Sequence, residues 1–210
     1  KTAFIQAQTG LGKTYGYLLP ALSMESEGGI LVSVPTKILQ NQIMQEEGRR
    51  LKDTFHIDIH SLKGPQNYLK LDNFYKVLHR PESNRLFTRF KMQILIWLTE
   101  TETGDLDEIG QLYRYQHFIP ELVHDGKLSK TSLFSSEDFW QRSQDRAKSS
   151  RLLLTNHAYL VTRLEDDPEF VNNRLVIIDE AQKMLIALEN LAQESYLLDD
   201  LVTQVEKSLE

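Results

Sequence analysis

The sequence predicts an α/β fold, a parallel sheet interrupted by a mostly helical insertion. Four short apolar runs have the length and composition of buried strands, and helix-like segments follow them. The runs lie at residues 2–6, 30–34, 151–155 and 175–178. Between the second and third runs, apolar residues instead recur every three or four positions, which is typical of amphipathic helices. Successive strand–helix units favour parallel pairing with right-handed crossovers.

Two strand–helix units come first. A helix is predicted over Tyr15–Met24 even though Pro20 lies inside it, because the neighbouring residues are apolar enough to be buried. Ile30–Val34 reads as the next strand and Ile38–Lys52 as the next helix. Residues 1–62 are therefore predicted to form the first part of the sheet domain.

Residues 63–150 are predicted to form the helical insertion. Apolar periodicity predicts its helices at 68–78, 86–98, 112–123 and 136–148. Ser135 or Ser136 is the expected N-cap of the last helix, and the acidic stretch 104–110 is the expected turn region. The aromatic residues on these faces are expected to pack in a core rather than stack on nucleic-acid bases.

The sheet domain is predicted to return over residues 151–183. The amphipathic, acidic pattern of residues 184–210 is interpreted as the start of a second insertion. The chain opens directly in a predicted core strand, which suggests a piece of a longer protein.

Composition limits the classes of function. A net charge of −6 and an isoelectric point of about 5.6 mean that a polyanion must be held by a local patch. The absence of cysteine excludes disulfides and thiolate metal sites, and six scattered histidines do not have the spacing of a zinc site. No apolar run approaches the length of a membrane span. These features predict a cytoplasmic protein without a membrane partner.

A glycine-rich loop lies between the first apolar run and the first helix, the layout of a phosphate-binding P-loop. Glycine allows torsions that turn backbone amides towards phosphate, and the following helix adds a partial positive charge. Lys13 can reach the outer phosphates, and Thr14 can offer its hydroxyl to Mg²⁺. The predicted nucleotide-binding residues are Gln8, Thr9, Gly10, Leu11, Gly12, Lys13 and Thr14. The alternative is a chance glycine-rich turn, and Ala7 does depart from the glycine that opens the usual pattern.

The fourth apolar run ends in Asp179-Glu180-Ala181-Gln182. Asp179 is predicted to hold Mg²⁺ together with Thr14, and Glu180 to orient the attacking water. The alternative is an acidic strand end beside a helix N-terminus, where carboxylates are favourable in any case. With the P-loop upstream, we predict an ATP site with Lys13, Asp179, Glu180 and Gln182 as its catalytic residues.

Four stretches of the chain resemble the XPD/DinG type of superfamily 2 helicase. They are Gln8–Thr14 with Tyr17–Leu22, Val34–Lys37 with Leu39, Gln40 and Gln42, Thr155–Leu160, and Asp179–Gln182. The second is similar to motif Ia, the third to the Asn-His-Ala-Leu block and the fourth to the Asp-Glu-Ala-His box. The resemblance implies a P-loop NTPase with a RecA-like parallel sheet, incomplete in this chain.

The chain departs from that family at two places. Gln182 stands where most relatives have histidine, which we expect to modify coupling rather than abolish activity. Lys63–Lys70 is similar to the segment that ends in the first cluster-binding cysteine of relatives with an iron–sulfur domain, and Lys70 stands at that cysteine. The resemblance therefore implies an insertion without an iron–sulfur cluster, held together by apolar side chains.

What the resemblance implies is ATP-driven translocation on single-stranded DNA in the 5′ to 3′ sense. Motif Ia lies on the DNA backbone in the family, so Pro35, Thr36 and Lys37 are the predicted DNA-binding residues. A basic run either adds DNA contacts or is a solvated helix face. It consists of Arg142, Arg146, Lys148 and Arg151. His157 is expected to make a structural hydrogen bond.

The function predicted from these features is the ATP-binding part of the first motor domain of a DinG-like DNA helicase. One alternative is a P-loop switch that binds nucleotide and a protein partner without DNA. Another is a module that tethers or regulates a fused nuclease without productive unwinding. The expected partners are single-stranded DNA or a DNA fork, a fused exonuclease domain, and the rest of the same protein with its second motor domain and arch.

The family topology also predicts which strands of the sheet pair with each other. A further strand, absent from this chain, separates the P-loop strand from the Asp-Glu strand in RecA-like helicase domains. Residues 2–6 and 175–178 are therefore expected not to pair directly. The second motor domain supplies the arginine finger, so these 210 residues alone are expected to hydrolyse ATP weakly.

Overall fold

The structure is a computed structural model that describes residues 2–6, 12–24, 26–81, 84–127 and 132–192. The strands of its central sheet are β1 Ile30–Val34, β2 Ile59–Ser61, β3 Leu152–Asn156 and β4 Leu175–Ile178. They pair in parallel in the order β2–β3–β1–β4. The predicted α/β fold with a parallel sheet is confirmed.

Helices flank the sheet and build the insertion. They are α1 Lys13–Ser23, α2 Lys37–Ile43, α3 Arg49–Phe55, α4 Leu71–His79, α5 Arg85–Leu98, α6 Phe139–Ser149, α7 His157–Asp166 and α8 Met184–Ala192. A π-helical turn, Met44–Gly48, joins α2 to α3, so the helix predicted from Ile38 runs on to Phe55. No helix among the described residues is long and apolar enough to cross a membrane.

Both faces of β1 and β3 are covered, which explains why these strands contain long apolar runs, whereas Val176 and Ile178 of the edge strand β4 are 37% and 39% exposed. Alternate residues of β1 and β3 point to opposite sides. Ile30, Val32 and Leu152 pack with α1, α2 and α3, whereas Leu31 and Leu153 pack with α6 and α7. The parallel pairing of β1 with β4 places their carboxyl ends next to each other, in a register that pairs Ser33 with Ile178.

The strand predicted at residues 2–6 is wrong for this structure. These residues belong to no strand, and the side chains of Phe4 and Ile5 are 92% and 89% exposed. A strand requires a neighbour to satisfy its backbone hydrogen bonds, and among the described residues β4 pairs with β1 alone. Because residues 2–6 form no strand, the expected separation of that strand from residues 175–178 is not tested here and stays a prediction.

Strand β2 was not predicted. It is only three residues long, and His60 and Ser61 interrupt its apolar character. Its place in the sheet comes from its pairing with β3, where Ile59 lies opposite Leu152. A long-range partner of this kind leaves no periodic signal in the local sequence.

The insertion has a core of its own that is rich in aromatic residues. Phe90 stacks on Tyr115 with ring centroids 4.3 Å apart, and Phe87 stacks on Phe118 at 4.2 Å. The prediction that these aromatic residues pack in a core is confirmed.

Two of the predicted insertion helices differ from the structure. The helix predicted over 112–123 is replaced by two short 3₁₀ turns, Leu112–Tyr115 and Ile119–Glu121. Pro120 explains the break, because proline has no amide to continue a helix and is tolerated in a first turn. The helix predicted from residue 68 begins at Leu71, because Tyr68 and Leu69 form antiparallel bridges with Asp105 and Val123.

The predicted cap of α6 is also wrong. Asp138, rather than Ser135 or Ser136, accepts a hydrogen bond from the amide of Gln141 at 2.7 Å. The helix therefore starts at Phe139. Of the predicted second insertion, 184–210, the structure describes only α8, and residues 193–210 lie outside the described residues.

Candidate nucleotide-binding site

The amino end of α1 carries the described part of the glycine-rich loop. Gly12 is the N-cap residue, with φ 68° and ψ 36°, a left-handed conformation that favours glycine. A methyl group at Gly12 would meet nothing within 4 Å, so the backbone torsion rather than crowding selects glycine. Lys13 and Thr14 begin the helix and are partly buried. The other predicted loop residues, Gln8, Thr9, Gly10 and Leu11, lie outside the described residues.

The strand-end carboxylates occupy a tight turn directly after β4. The amide of Asp179 donates to the carbonyl oxygen of Ser33 at 2.9 Å, which extends the β1–β4 pairing by one residue. Glu180 follows with φ 47° and ψ 54°, a left-handed conformation that is unusual for a residue with a side chain. The chain then enters the 3₁₀ turn Ala181–Lys183, where Gln182 is exposed.

The carboxylate of Glu180 is held in its ionised form. Lys183 Nζ lies 2.6 Å from Glu180 Oε2, and this hydrogen bond is the main cause of the lowered pKa of Glu180. The charge of Lys13 lowers that pKa further. The predicted P-loop lysine therefore acts electrostatically on the predicted water-orienting carboxylate.

Tyr17 connects the two halves of the site. Its hydroxyl donates to Asp179 Oδ2 at 3.3 Å, and Thr14 lies three positions before it on the same helix. Burial, followed by the charge of Asp179, raises the pKa of Tyr17, so its hydroxyl keeps its proton. Sequence reasoning missed this residue, although Thr14 and Tyr17 are three positions apart and share a helix face.

His157 supports the carboxylate turn from the opposite side. It is the first residue of α7 and is almost fully buried. Its Nδ1 lies 2.7 Å from Ser33 Oγ, and its Nε2 lies 3.0 Å from the carbonyl oxygen of Asp179. Burial is the main cause of the lowered pKa of His157, which favours the neutral ring. The hydrogen bonds match the structural role that the sequence predicted.

The donor set at this end of the sheet fits Mg²⁺. A hydroxyl and a carboxylate are the oxygen ligands that Mg²⁺ takes, and Tyr17 hydrogen-bonds to Asp179 from the helix that carries Thr14. Mg²⁺ bound with a nucleotide uses one or two protein ligands and completes its shell with phosphate and water. Within the described residues, no cluster of three or more His, Cys, Asp or Glu side chains could hold a metal.

The predicted DNA-contacting residues lie just beyond β1. Thr36 caps α2, because its hydroxyl accepts from the amide of Leu39 at 3.2 Å. Lys37 is exposed, but its Nζ donates to Asn67 Oδ1 at 2.7 Å. Asn67 is buried at the start of the insertion. Motif Ia is therefore linked directly to the insertion, while Pro35 is partly buried beside it.

The predicted basic run is largely engaged in other contacts. Arg151 donates to the backbone carbonyls of Leu22, Met24 and Ser26 and so binds the end of α1. Lys148 pairs with Asp145 on the same helix, and the Arg142 guanidinium lies over the Phe139 ring. These contacts favour the interpretation of the run as a structural and solvated surface.

Lys70, at the position of the first cluster cysteine, forms a polar cross-link. Its Nζ lies 2.5 Å from Asp125 Oδ1 and 3.1 Å from the carbonyl oxygen of Lys127. Because the sequence contains no cysteine, no thiolate is present to bind an iron–sulfur cluster. An ammonium group is not a metal ligand, so this position does not fit the cluster of the related proteins.

A parallel sheet whose Asp-Glu strand end faces the helix after a glycine-rich loop is the arrangement of a P-loop nucleotide-binding domain. The profile of the DEAD/DEAH box helicases matches residues 1–109. The chain belongs to that family, and within it the chain is DinG-like.

The similar proteins are bacterial. The chain is 35% identical over 193 residues to the 3'-5' exonuclease DinG of Bacillus subtilis. The aligned region covers 85% of this chain and 20% of that protein. It is 30% identical over 190 residues to the 3'-5' exonuclease DinG of Staphylococcus saprophyticus. That alignment covers 87% of this chain and 20% of the relative. The chain spans about a fifth of the length of these relatives.

Proposed function

We propose that this chain is the ATP-binding part of the first motor domain of a DinG-like, ATP-dependent DNA helicase or translocase. The observation that carries the proposal is the 3.3 Å hydrogen bond from Tyr17 to Asp179. It brings the strand-end carboxylate against the helix that begins with Lys13 and Thr14. Two sequence motifs far apart in the chain therefore meet at one end of the sheet, where open α/β sheets bind their ligands.

Each residue has a role that its position supports. Lys13 binds the outer phosphates, and the backbone of Gln8, Thr9, Gly10, Leu11 and Gly12 cradles the phosphate chain. Thr14 and Asp179 hold Mg²⁺, which neutralises developing negative charge on the phosphates when it is bound. Glu180, ionised beside Lys183, orients the attacking water. Gln182 offers both a donor and an acceptor at the outer side of the turn and tunes coupling to the rest of the motor.

We further propose that DNA is contacted locally, through Pro35, Thr36 and Lys37. The overall charge of −6 opposes non-specific attraction of DNA, so a few phosphate contacts must provide the affinity. Binding should then prefer single strands and weaken as salt rises. The proposed direction of movement is 5′ to 3′, by resemblance to the family.

A second candidate function follows from the names of the relatives. Both proteins named above are called 3'-5' exonuclease DinG, and this chain matches about a fifth of each. A nuclease elsewhere in the intact protein could use this P-loop domain as a regulated tether that binds DNA without productive unwinding. Gln182, in place of the usual histidine, favours this alternative because it alters the box that couples ATP hydrolysis to movement.

The test is ATP hydrolysis by the intact protein with Lys13→Ala. Loss of the charge–phosphate contact should lower turnover by roughly a hundredfold or more. Lys52→Ala is the matched control, because Lys52 is an exposed lysine on α3. Wild-type turnover in the Lys13 variant would overturn the assignment of the site.

Two further measurements separate the candidate functions. Duplexes with a 5′ or a 3′ single-stranded overhang report unwinding and its direction. ATP hydrolysis stimulated by single-stranded DNA, with unwinding of the 5′-overhang substrate, supports the motor. Stimulated hydrolysis with nuclease activity but no unwinding of either substrate supports the tether, and hydrolysis indifferent to DNA supports a nucleotide switch.

A further inference from the structure

The side chain of His157 lies between the strand that leads to motif Ia and the turn that carries the carboxylates. It is 1% exposed, and both of its ring nitrogens have partners. The carbonyl oxygen of Asp179 can only accept, so Nε2 carries the proton and Nδ1 accepts from the Ser33 hydroxyl. The two contacts therefore fix one tautomer and one ring orientation.

We propose that His157 is a positioning residue for ATP hydrolysis, which holds the Asp179–Glu180 turn in its working geometry and ties it to β1 through Ser33. The inference rests on the proposed function, since it assigns a role in the hydrolysis step of the same site. Neither His157 nor Ser33 needs to touch the nucleotide in order to act in this way.

The turn has a feature that requires such support. Glu180 has a left-handed backbone, φ 47° and ψ 54°, which is unfavourable for a residue with a Cβ. The carbonyl that His157 binds belongs to the peptide that joins Asp179 to Glu180, so its orientation is coupled to the φ angle of Glu180. The hydrogen bond at 3.0 Å thus acts on the torsion that aims the Glu180 side chain.

Ser33 links this support to the DNA side of the domain. Its hydroxyl bonds to His157 at 2.7 Å, and its carbonyl oxygen accepts from the amide of Asp179 at 2.9 Å. Pro35 and Thr36 follow two and three residues later. A displacement of the end of β1 by bound DNA would therefore move both hydrogen bonds that hold Asp179.

The sheet itself provides a matched control. Thr155 on β3 lies directly opposite Ser33 on β1, and both residues are fully buried. The Thr155 hydroxyl is buried and has no hydrogen-bond partner among the described residues, whereas the Ser33 hydroxyl contacts His157. Thr155→Val and Ser33→Ala therefore each remove a buried hydroxyl at the same level of the sheet, and only one of them breaks the proposed link.

The experiment compares His157→Ala, His157→Gln, Ser33→Ala and Thr155→Val in the intact protein. The measured quantities are kcat and KM for ATP, the Kd of a fluorescent ATP analogue, and the factor by which single-stranded DNA stimulates hydrolysis. Thermal melting of each variant reports folding. His157→Gln retains an amide donor near the position of Nε2, so it tests rescue of the contact with Asp179.

We expect His157→Ala to lower kcat by about a hundredfold while the Kd of the analogue changes less than about threefold, since misplacement of a catalytic group costs roughly that much. The kcat of His157→Gln should be about tenfold higher than that of His157→Ala. Ser33→Ala should lower the DNA stimulation factor severalfold, with Thr155→Val unchanged.

Three results would overturn the inference. One is a kcat within twofold of wild type in His157→Ala. Another is a parallel loss of analogue binding and melting temperature in all His157 and Ser33 variants, which indicates a purely structural role. The third is equal DNA stimulation in Ser33→Ala and Thr155→Val. Failure of the proposed function itself is distinguishable, because wild-type protein would then show no ATP hydrolysis that depends on Lys13.

Discussion

Where the sheet buries aliphatic side chains on both faces, the segment between β2 and β3 buries aromatic rings together with charged groups. Its buried polar side chains include Lys63, Lys70, His124 and Asp138. The difference follows from how each region satisfies its backbone. Parallel strands pair along their whole length, so their side chains can be uniformly apolar. The insertion contains short turns and isolated bridges, and its side chains must supply the missing cross-links.

The charged groups of the insertion tie together segments that are distant in sequence. Lys63 Nζ contacts Asp105 at 2.5 Å and Asp107 at 2.9 Å, and its side chain is 2% exposed. His124 Nε2 lies 3.0 Å from Asp138 Oδ2, and the His124 ring stacks on Trp140. These pairs join the entry of the insertion, its acidic turn and the start of α6.

Lys70 illustrates how the insertion uses polar contacts in addition to its apolar core. We expected apolar side chains to hold a cysteine-free insertion together, and the aromatic core does so in part. The structure adds an ion pair at the position where the sequence resemblance places a cluster-binding cysteine, with Lys70 bound to Asp125 and to the carbonyl of Lys127. This position therefore holds a long-range polar contact.

The largest effect that tests this comparison is expected for Lys63→Met. The substitution leaves Asp105 and Asp107 without their buried counter-ion, which should lower the free energy of unfolding by about 3–5 kcal/mol. Urea unfolding followed by tryptophan fluorescence measures it, because Trp97 and Trp140 both lie in the insertion. Lys148→Met is the matched control, since Lys148 forms an exposed pair with Asp145. Equal stability of the two variants would show that the insertion does not depend on buried charge.

A smaller effect is expected for Lys70→Met. Asp125 remains hydrated with a 56% exposed side chain, so the loss should be about 2 kcal/mol, the scale of hydrogen bonds to charged groups. Lys76→Met, on the exposed face of α4, serves as the control for loss of a lysine charge. If both variants unfold at the same urea concentration, the Lys70 cross-link contributes nothing to the insertion.

The two regions also differ in how far the sequence predicts them. Three strands of the sheet lie where their apolar runs indicate. Burial of both faces of β1 and β3, and partial burial of β4, leaves a signal in the local composition. The helix over 112–123 was predicted wrongly, because apolar periodicity outweighed Pro120. Residues 2–6 were also apolar, but composition does not report whether a partner strand is present.

The candidate site shows the same limit. The sequence points to Lys13, Thr14 and Asp179 through local motifs, but those motifs do not show that Tyr17 bonds to Asp179. The role of Ser33 could not be predicted either, because a single serine in an apolar strand carries no motif. Its role depends on the hydrogen bond to His157, which only the fold brings about. Motifs identify the chemistry of a site, whereas tertiary contacts select the residues that hold it in place.

The smallest effect concerns the junction between the two regions, where His60 on β2 lies 2.9 Å from Ser143 on α6. Burial, followed by the charge of Arg146, lowers the pKa of His60 to about 4 from an ordinary 6.5. In the unfolded chain the ring takes up a proton below pH 6.5, whereas in the folded protein it does so only near pH 4. The contribution to stability is therefore complete above pH 6.5 and declines as the pH falls from there towards 4.

His60→Gln removes this titration and keeps a group that can hydrogen-bond to Ser143. Between pH 7 and pH 5 wild-type protein should lose on the order of 1 kcal/mol more stability than the variant. Urea unfolding at both pH values measures the difference, with His117→Gln as the control because His117 is exposed. If wild type and His60→Gln lose stability equally on acidification, the ring of His60 is not kept neutral by its burial, and the junction tolerates a charge that the sheet core would exclude.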